Sequence, residues 1–142
     1  MDKYDCLKIE NQLCFPLYAA AREVIKQYTP ILDKYNLTYT QYIAMLVLWE
    51  KEKATVKEIG KILHLDSGTL TPLLKKIESM GLITRYRDVN DDRVVIAELT
   101  EKGLELKDEV IGVPNEIICK VNLSMEKAIQ LKKLLDELLE IL

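Results

Sequence analysis

Three cysteines, Cys6, Cys14 and Cys119, are the side chains of this sequence with the widest chemistry. An odd number without a CxxC pair does not fit a disulfide scaffold, and three cysteines with a lone His64 lack the paired spacing of a zinc site. A thiolate can attack a peroxide, but a cysteine on an apolar helix is at least as often an inert packing residue. The residues alone leave both interpretations of Cys14 open.

The motifs that usually accompany a catalytic thiol do not occur in the sequence. There is no glycine-rich phosphate loop and no nucleophile elbow, and His64 lies in a predicted helix-turn-helix, where it is poorly placed to serve Cys14 as a base. A thiol peroxidase or a cysteine hydrolase is therefore disfavoured. We expect a protein that is not an enzyme and that holds neither a metal nor a cofactor.

Charge is distributed unevenly along the 142 residues, whose formal net charge is -3. Residues 1–54 sum to 0, residues 55–95 to +1 and residues 96–142 to -4. A DNA-binding chain must therefore present its middle segment to the duplex and keep the acidic end away. No apolar run approaches the ~20 residues of a membrane span, and the N-terminus lacks the order of a signal peptide, so we expect a cytoplasmic protein.

Capping signals delimit a helix-turn-helix within residues 38–100. Thr38–Gln41 and Thr55–Glu58 have capping-box spacing, Asp66 can cap the next helix, and Gly81 stands where a left-handed C-terminal cap belongs. Two short helices joined by about three residues and followed by a glycine are typical of this motif. An apolar stripe of the second helix predicts its inward face: Leu70, Leu73, Leu74, Ile77 and Met80.

The outer face of that second helix carries small hydroxyls and lysines. Hydroxyls near a helix N-terminus can approach bases and phosphates, and lysines can neutralise the DNA backbone. Lysines on a helix usually form only a solvent-exposed face. Their position in the second helix of the motif is what favours DNA contact. The candidate contacts are Ser67, Thr69, Thr71, Lys75 and Lys76. Pro72 predicts either a distorted helix or a later start at Thr71.

A hairpin follows the second helix. Leu82–Arg87 and Arg93–Leu99 are rich in β-branched and aromatic residues and flank the polar turn Asp88–Asp92. Arg93, beside the tip, is placed to enter a minor groove, as basic arms do. The sequence therefore predicts a mainly α, α+β winged helix-turn-helix over residues 38–100.

Helical patterns flank this region on both sides. Apolar residues recur at helical spacing from Leu7 to Tyr28, Thr29–Pro30 should bend or restart that helix, and a second piece continues to about Tyr35. Thr100 can cap a helix to about Gly112 and Ser124 can cap the last one, which carries a leucine stripe. Apolar helices at both ends predict a homodimer held by residues 1–35 and 101–142.

Two segments resemble the MarR family of regulators: LHLDSGTLTPLLKKIESMGLI (63–83) and DDRVVIAELTEKG (91–103). The wing signature Asp-x-Arg followed by Leu-Thr-x-x-Gly is matched by Asp91, Arg93, Leu99, Thr100 and Gly103. The resemblance covers residues 1–142 as a single MarR-like chain. It implies a dimeric transcriptional regulator, with Asp91 and Arg93 in the DNA-binding wing, on a pseudo-palindromic operator whose half-sites lie about 10 base pairs apart.

A narrower resemblance, to the organic-hydroperoxide-sensing (OhrR) branch, rests on NQLCF (11–15) and LTYTQY (37–42). It implies that Cys14 senses the peroxide, that Tyr28 and Tyr39 hydrogen-bond to it from the partner subunit, and that its oxidation releases a repressor from DNA. A two-cysteine subgroup places a resolving thiol where Cys119 stands, although its apolar neighbours also fit core packing. Control by a noncovalent phenolic ligand, as in many MarR relatives, is the alternative, and Cys6 has no assigned role.

Overall fold

The computed structural model describes residues 1–142, which form seven α-helices and a three-stranded antiparallel sheet. The predicted fold class, mainly α with a winged helix-turn-helix, is confirmed. In chain order the elements are α1 (Cys14–Leu32), α2 (Tyr39–Lys51), β1 (Lys53–Thr55), α3 (Val56–Leu63), α4 (Ser67–Ser79), β2 (Ile83–Arg87), β3 (Val95–Leu99), α5 (Glu101–Glu109), α6 (Val113–Val121) and α7 (Met125–Ile141). Single 3-10 turns occupy Asp5–Leu7, Ile9–Asn11 and Asp33–Tyr35.

Side-chain caps set the starts of the central helices where the sequence predicted them. Thr38 and Thr55 each complete a capping box, with Gln41 and Glu58 respectively. The Asp66 carboxylate accepts a hydrogen bond from the backbone N–H of Thr69 at 2.8 Å and opens α4. These bonds satisfy N–H groups that have no intrahelical partner, so each helix begins at a defined residue.

Gly81 ends α4 in the left-handed conformation, with φ of 79°. Its N–H bonds to the Glu78 carbonyl at 2.9 Å, and the N–H of Leu82 bonds to the Ile77 carbonyl at 3.3 Å. This pair of bonds is a Schellman cap, which favours glycine because a side chain is strained at positive φ. The chain therefore leaves α4 in a fixed direction and enters β2.

Helix α1 differs from its prediction at both ends. It begins at Cys14 instead of Leu7, because the preceding residues form two 3-10 turns closed by bonds such as Asn11 Nδ2 to the Asp5 carbonyl at 2.7 Å. It also continues through Pro30 to Leu32, so the helix does not restart at Thr29–Pro30, and the 3-10 turn Asp33–Tyr35 carries the chain to Tyr35. Proline has no N–H, so the Lys26 carbonyl loses its usual donor. Pro30 and Lys26 are both exposed, so water can satisfy that carbonyl.

The sheet contains a strand that the sequence did not indicate. β1 pairs with β3 antiparallel, with Ala54 opposite Ala97, and β3 also pairs with β2, so that the strand order is β1-β3-β2. Both predicted wing strands are shorter than expected: β2 begins at Ile83, and β3 begins at Val95 instead of Arg93. The turn bond from Val94 N–H to the Asp91 carbonyl, at 3.0 Å, keeps Arg93 out of the strand.

Residues 28–113 form one compact unit around an apolar core. Helices α2, α3 and α4 pack on one another and on the sheet. The largest fully buried side chains of this unit come from six helical or strand segments: Leu32, Met45, Leu48, Ile59, Leu70, Leu74, Ile77, Ile83 and Val113. Three of the five residues predicted to face inward from α4 are buried, while Leu73 and Met80 are half-buried.

Residues 1–27 and 114–142 form the second compact unit. Within these two segments only Ile117 is buried. Large apolar side chains of α7 are exposed instead: Leu131, Leu134, Leu138, Leu139 and Ile141. None of the seven helices combines the length and the apolar character that crossing a bilayer requires.

Candidate nucleic-acid interface and sensor residues

The outer face of α4 presents most of the predicted DNA-contacting residues together. Ser67, Thr69, Lys75 and Lys76 are exposed, and Thr71 is half-buried beside them. Asp66 lies at the same end, and the hydrogen bonds from Thr69 lower the pKa of its carboxyl group. The face therefore combines hydroxyls near the N-terminus with positive charge further along, a pattern suited to base and phosphate contact.

Pro72 lies inside α4 without interrupting it. The helix starts at Ser67, so the predicted later start at Thr71 is wrong. Proline has no N–H, which leaves the Gly68 carbonyl without its usual donor one turn back. Both residues are exposed, so water or a ligand can satisfy that carbonyl.

An acid–base pair organises the tip of the wing. The backbone N–H and Nε of Arg93 both donate to Oδ1 of Asp91 at 3.0 Å, and a terminal guanidinium nitrogen donates to Oδ2 at 3.2 Å. The side-chain hydrogen bonds from Arg93 also lower the pKa of Asp91. The Arg93 side chain is 90% exposed, so Asp91 orients the guanidinium without covering it.

Arg87 closes the wing from the other strand, a role that the sequence did not indicate. Its guanidinium donates to the Asp92 carbonyl at 2.6 Å, and the N–H of Asp88 donates to the Val94 carbonyl at 2.8 Å. The position of an arginine at the last residue of a predicted strand was the available signal. These bonds give the polar turn a defined shape beside the exposed Arg93.

A second pair, also missed from the sequence, ties the wing to α4. The backbone N–H of Arg85 donates to one Glu78 carboxylate oxygen at 3.0 Å, and its guanidinium donates to the other at 3.1 and 3.3 Å. The side-chain hydrogen bond from Arg85 lowers the pKa of Glu78 below its usual 4.5. One carboxylate therefore fixes β2 relative to the helix that carries the candidate DNA contacts.

The Glu78–Arg85 pair should make stability depend on pH in the acid range. Because the folded-state pKa of Glu78 is lowered, its contribution is complete above the unfolded value of 4.5 and is lost as the pH falls through the folded value. We expect urea unfolding to give a stability advantage of wild type over Glu78→Gln at about pH 7 that narrows by about pH 3. Glu50→Gln, an exposed glutamate on α2, is the control, and an equal narrowing there would contradict this assignment.

Tyr28 and Tyr39, the predicted thiol-supporting residues, lie against each other. Their ring centroids are 4.7 Å apart, and Tyr42 lies 6.0 Å from Tyr28. Burial, reinforced by the two neighbouring phenols, raises the pKa of Tyr28 to about 12, and burial also raises the pKa of Tyr39. Both hydroxyls thus keep their protons at neutral pH and can act as neutral hydrogen-bond donors.

All three cysteines are free and exposed. Cys14 is the first residue of α1, at the end of the helix where unpaired backbone N–H groups and the helix dipole favour a negative charge. Cys119 lies on α6 beside the exposed Ile118, and Cys6 lies in the first 3-10 turn, where its thiol faces the Lys3 carbonyl at 3.7 Å. The structure does not pair any two of these thiols.

Comparison with known proteins identifies the family. The sequence is 53% identical to the organic hydroperoxide resistance transcriptional regulator of Bacillus subtilis (strain 168), over 99% of this chain and 96% of that protein. The chain belongs to the MarR family of winged-helix regulators. Residues 26–110 also match the family model of the SarA/Rot transcriptional regulators.

Two solved structures of AbfR are similar to this chain over nearly its full length. Reduced AbfR bound to DNA is 32% identical, with a TM-score of 0.80 over 98% of this chain and 97% of that one. Disulfide-formed AbfR is also 32% identical, with a TM-score of 0.68 over 96% of both chains. AbfR is a protein of Staphylococcus epidermidis. The fold of this chain is therefore similar to that of a protein seen bound to DNA.

Proposed function

We propose that this chain is a homodimeric transcriptional repressor that binds operator DNA when reduced and is released when an organic hydroperoxide oxidises Cys14. The observation that carries the proposal is the full-length similarity to an organic hydroperoxide resistance regulator, together with a cysteine at the first residue of α1. The compartment implied is the cytoplasm, where DNA is present and thiols are kept reduced.

The DNA-binding half of the proposal rests on residues 38–100. Exposed Ser67, Thr69, Lys75 and Lys76 on α4 fit a major groove, and Arg93 at the wing tip fits the adjacent minor groove. Asp91 holds Arg93 in place. Residues 1–35 and 101–142 serve as the dimerisation region in this proposal, so two such surfaces read half-sites about 10 base pairs apart.

The sensing half is a two-electron oxidation of sulfur. The Cys14 thiolate attacks the terminal oxygen of the hydroperoxide ROOH, an S–O bond forms as the O–O bond breaks, and the leaving alkoxide takes up a proton. The products are a sulfenic acid on Cys14 and the alcohol ROH. Protonated Tyr28 and Tyr39 of the partner subunit stabilise the thiolate by donating hydrogen bonds, without placing a fixed charge beside it.

Cys119 is the proposed resolving thiol. Its thiolate attacks the sulfenic sulfur of Cys14 in the partner subunit, an S–S bond forms, and the hydroxyl leaves as water after protonation. One hydroperoxide is consumed per sensor thiol, so the protein signals and does not turn over as an enzyme. Multiple-turnover peroxide consumption by the isolated dimer would contradict this assignment.

The test of the proposal is an operator-release assay on Cys14→Ser. The probe is a duplex selected by the reduced protein from a randomised pool of about 30 base pairs, long enough for two half-sites. We expect cumene hydroperoxide to release wild-type protein from this duplex and to leave Cys14→Ser bound. If Cys14→Ser is released as readily as wild type, Cys14 is not the sensor, and a noncovalent effector becomes the better explanation.

Removing the wing arginine should weaken DNA binding without affecting oxidation. Charged hydrogen bonds contribute about 1.5–3 kcal/mol, so we expect Arg93→Ala to raise the operator Kd by about 10- to 100-fold. The slope of log Kd against the logarithm of the salt concentration should also fall by about one. Asp91→Asn, which keeps Arg93 but weakens its orientation, should have a smaller effect. Arg22→Ala removes the same charge from α1 and is the control; an equal loss there would show that only net charge matters.

A further inference from the structure

A row of four aromatic rings runs from the tyrosine pair into the core of the DNA-binding unit. Tyr28 contacts Tyr39 and Tyr42, and the Tyr42 ring lies 6.3 Å from Trp49 in an edge-on arrangement. Tyr39, Tyr42 and Trp49 are spaced by three and seven residues on α2, so they share one face of that helix. Tyr42 and Trp49 are only 3% and 6% exposed.

Trp49, at the far end of this row, is held by α5 through two hydrogen bonds. Its indole N–H donates to the Gly103 carbonyl at 2.8 Å, and the Lys107 ammonium donates to the Trp49 carbonyl at 3.1 Å. The second bond satisfies one of the last carbonyls of α2, which have no intrahelical donor. Helices α2 and α5 therefore meet at this one residue through both its side chain and its backbone.

The N-terminal end of α5 forms hydrogen bonds with residues 80–82, the joint between α4 and the wing. The Thr100 hydroxyl donates to the Gly81 carbonyl at 2.7 Å, and its N–H donates to the Leu82 carbonyl at 3.1 Å. Lys102 donates to the Met80 carbonyl at 2.9 Å. Gly103 lies so close to the Leu82 carbonyl that a β-carbon would overlap it. The direction in which the wing leaves α4 thus follows the position of α5.

We propose that Trp49 is a positioning residue that transmits a displacement of Tyr28 and Tyr39 to the joint between α4 and the wing. The proposal rests on the function proposed above, because the tyrosine pair is there assigned to the sensor thiol. Close-packed rings have little free volume, so a shift of one ring must be accommodated by its neighbour. The shift reaches α5 through the indole hydrogen bond and reaches the wing through Thr100 and Gly103.

Two variants separate transmission from sensing. Trp49→Phe keeps a ring but removes the N–H bond to Gly103, and Tyr42→Leu keeps apolar volume but interrupts the row of rings. We expect cumene hydroperoxide to oxidise Cys14 at the wild-type rate in both, measured by loss of free thiol. The ratio of oxidised to reduced Kd for the selected duplex should fall about tenfold relative to wild type.

The control is Val47→Ala, which opens a cavity at a buried position of α2 on the side of the helix opposite Tyr42 and Trp49. It should keep the wild-type ratio of oxidised to reduced Kd. The proposal is overturned if Trp49→Phe and Tyr42→Leu also keep that ratio, or if Val47→Ala loses it to the same extent.

Trp49 is the only tryptophan in the chain, so its fluorescence reports on the proposed route directly and without DNA. Oxidation of Cys14 should shift its emission in wild type and should leave it unchanged in Cys14→Ser. Unchanged wild-type emission after complete oxidation and release from DNA would refute transmission while leaving the sensor intact. Failure of oxidised wild type to leave DNA would instead refute the proposed function.

Discussion

Replacing Gly103 by alanine is expected to lower the free energy of unfolding by about 3 kcal/mol, the upper range for overpacking a core. A β-carbon at this position would overlap the Leu82 carbonyl oxygen and would lie 2.9 Å from Cδ1 of Leu99. The obstructing carbonyl belongs to the backbone at the base of the wing and cannot rotate away. Alanine favours a helix by about 1 kcal/mol over glycine, so the steric cost must exceed that gain.

Gly68→Ala provides a matched control for this measurement. Gly68 also lies in the first turn of a helix, but a β-carbon there would meet only the Asp66 carboxylate, at 3.4 Å. Urea titration should show a lower midpoint for Gly103→Ala and an unchanged or higher one for Gly68→Ala. Equal stabilities of the two variants would mean that close packing of α5 on Leu82 does not explain the glycine of the wing signature.

Cys119→Ser is expected to abolish covalent dimer formation and most of the DNA release. Oxidised wild type should run as a disulfide-linked dimer on a non-reducing gel and bind the selected duplex about 1000-fold more weakly, which corresponds to ~4 kcal/mol. Without the resolving thiol the reaction stops at the sulfenic acid on Cys14, and no bond pulls α6 toward α1 of the partner. We expect Cys119→Ser to retain less than about a tenth of the wild-type release ratio.

Mass analysis of the same samples distinguishes the two oxidation routes. Cys119→Ser should gain one oxygen atom on Cys14, whereas wild type should lose one hydrogen per linked thiol. Cys6→Ser is the control and should behave as wild type. Full release of Cys119→Ser through a mixed disulfide between Cys14 and a small thiol would show that a single cysteine suffices and that Cys119 is a packing residue.

The features that could be predicted from sequence are those fixed by local chemistry. Capping boxes at Thr38 and Thr55, the Asp66 cap and the left-handed Gly81 depend on residues within a few positions of each other. The inward stripe and outer face of α4 follow from helical periodicity in the same way. The resemblance of the wing then located Arg93 and its partner Asp91, although not the bonds between them.

The features that were missed depend on contacts across the chain. β1 has only three residues and is stabilised by pairing with β3, where Ala54 lies opposite Ala97, 43 residues later in the sequence. Trp49 bonds to Gly103 over a separation of 54 residues, which no local pattern indicates. Pro30 was misread for a different reason: its local rule is sound, but the helix tolerates the lost bond because Pro30 and Lys26, whose carbonyl loses its donor, are both exposed.

The unit of residues 1–27 and 114–142 has almost no core of its own, so its folding should depend on association of two chains. With Ile117 as the one buried residue there, these helices have little apolar contact within their own chain to offset the entropy of ordering them. In the proposed dimer, the second chain supplies that contact. The melting temperature then depends on the protein concentration as well as on the sequence, and dilution alone destabilises the unit of residues 1–27 and 114–142.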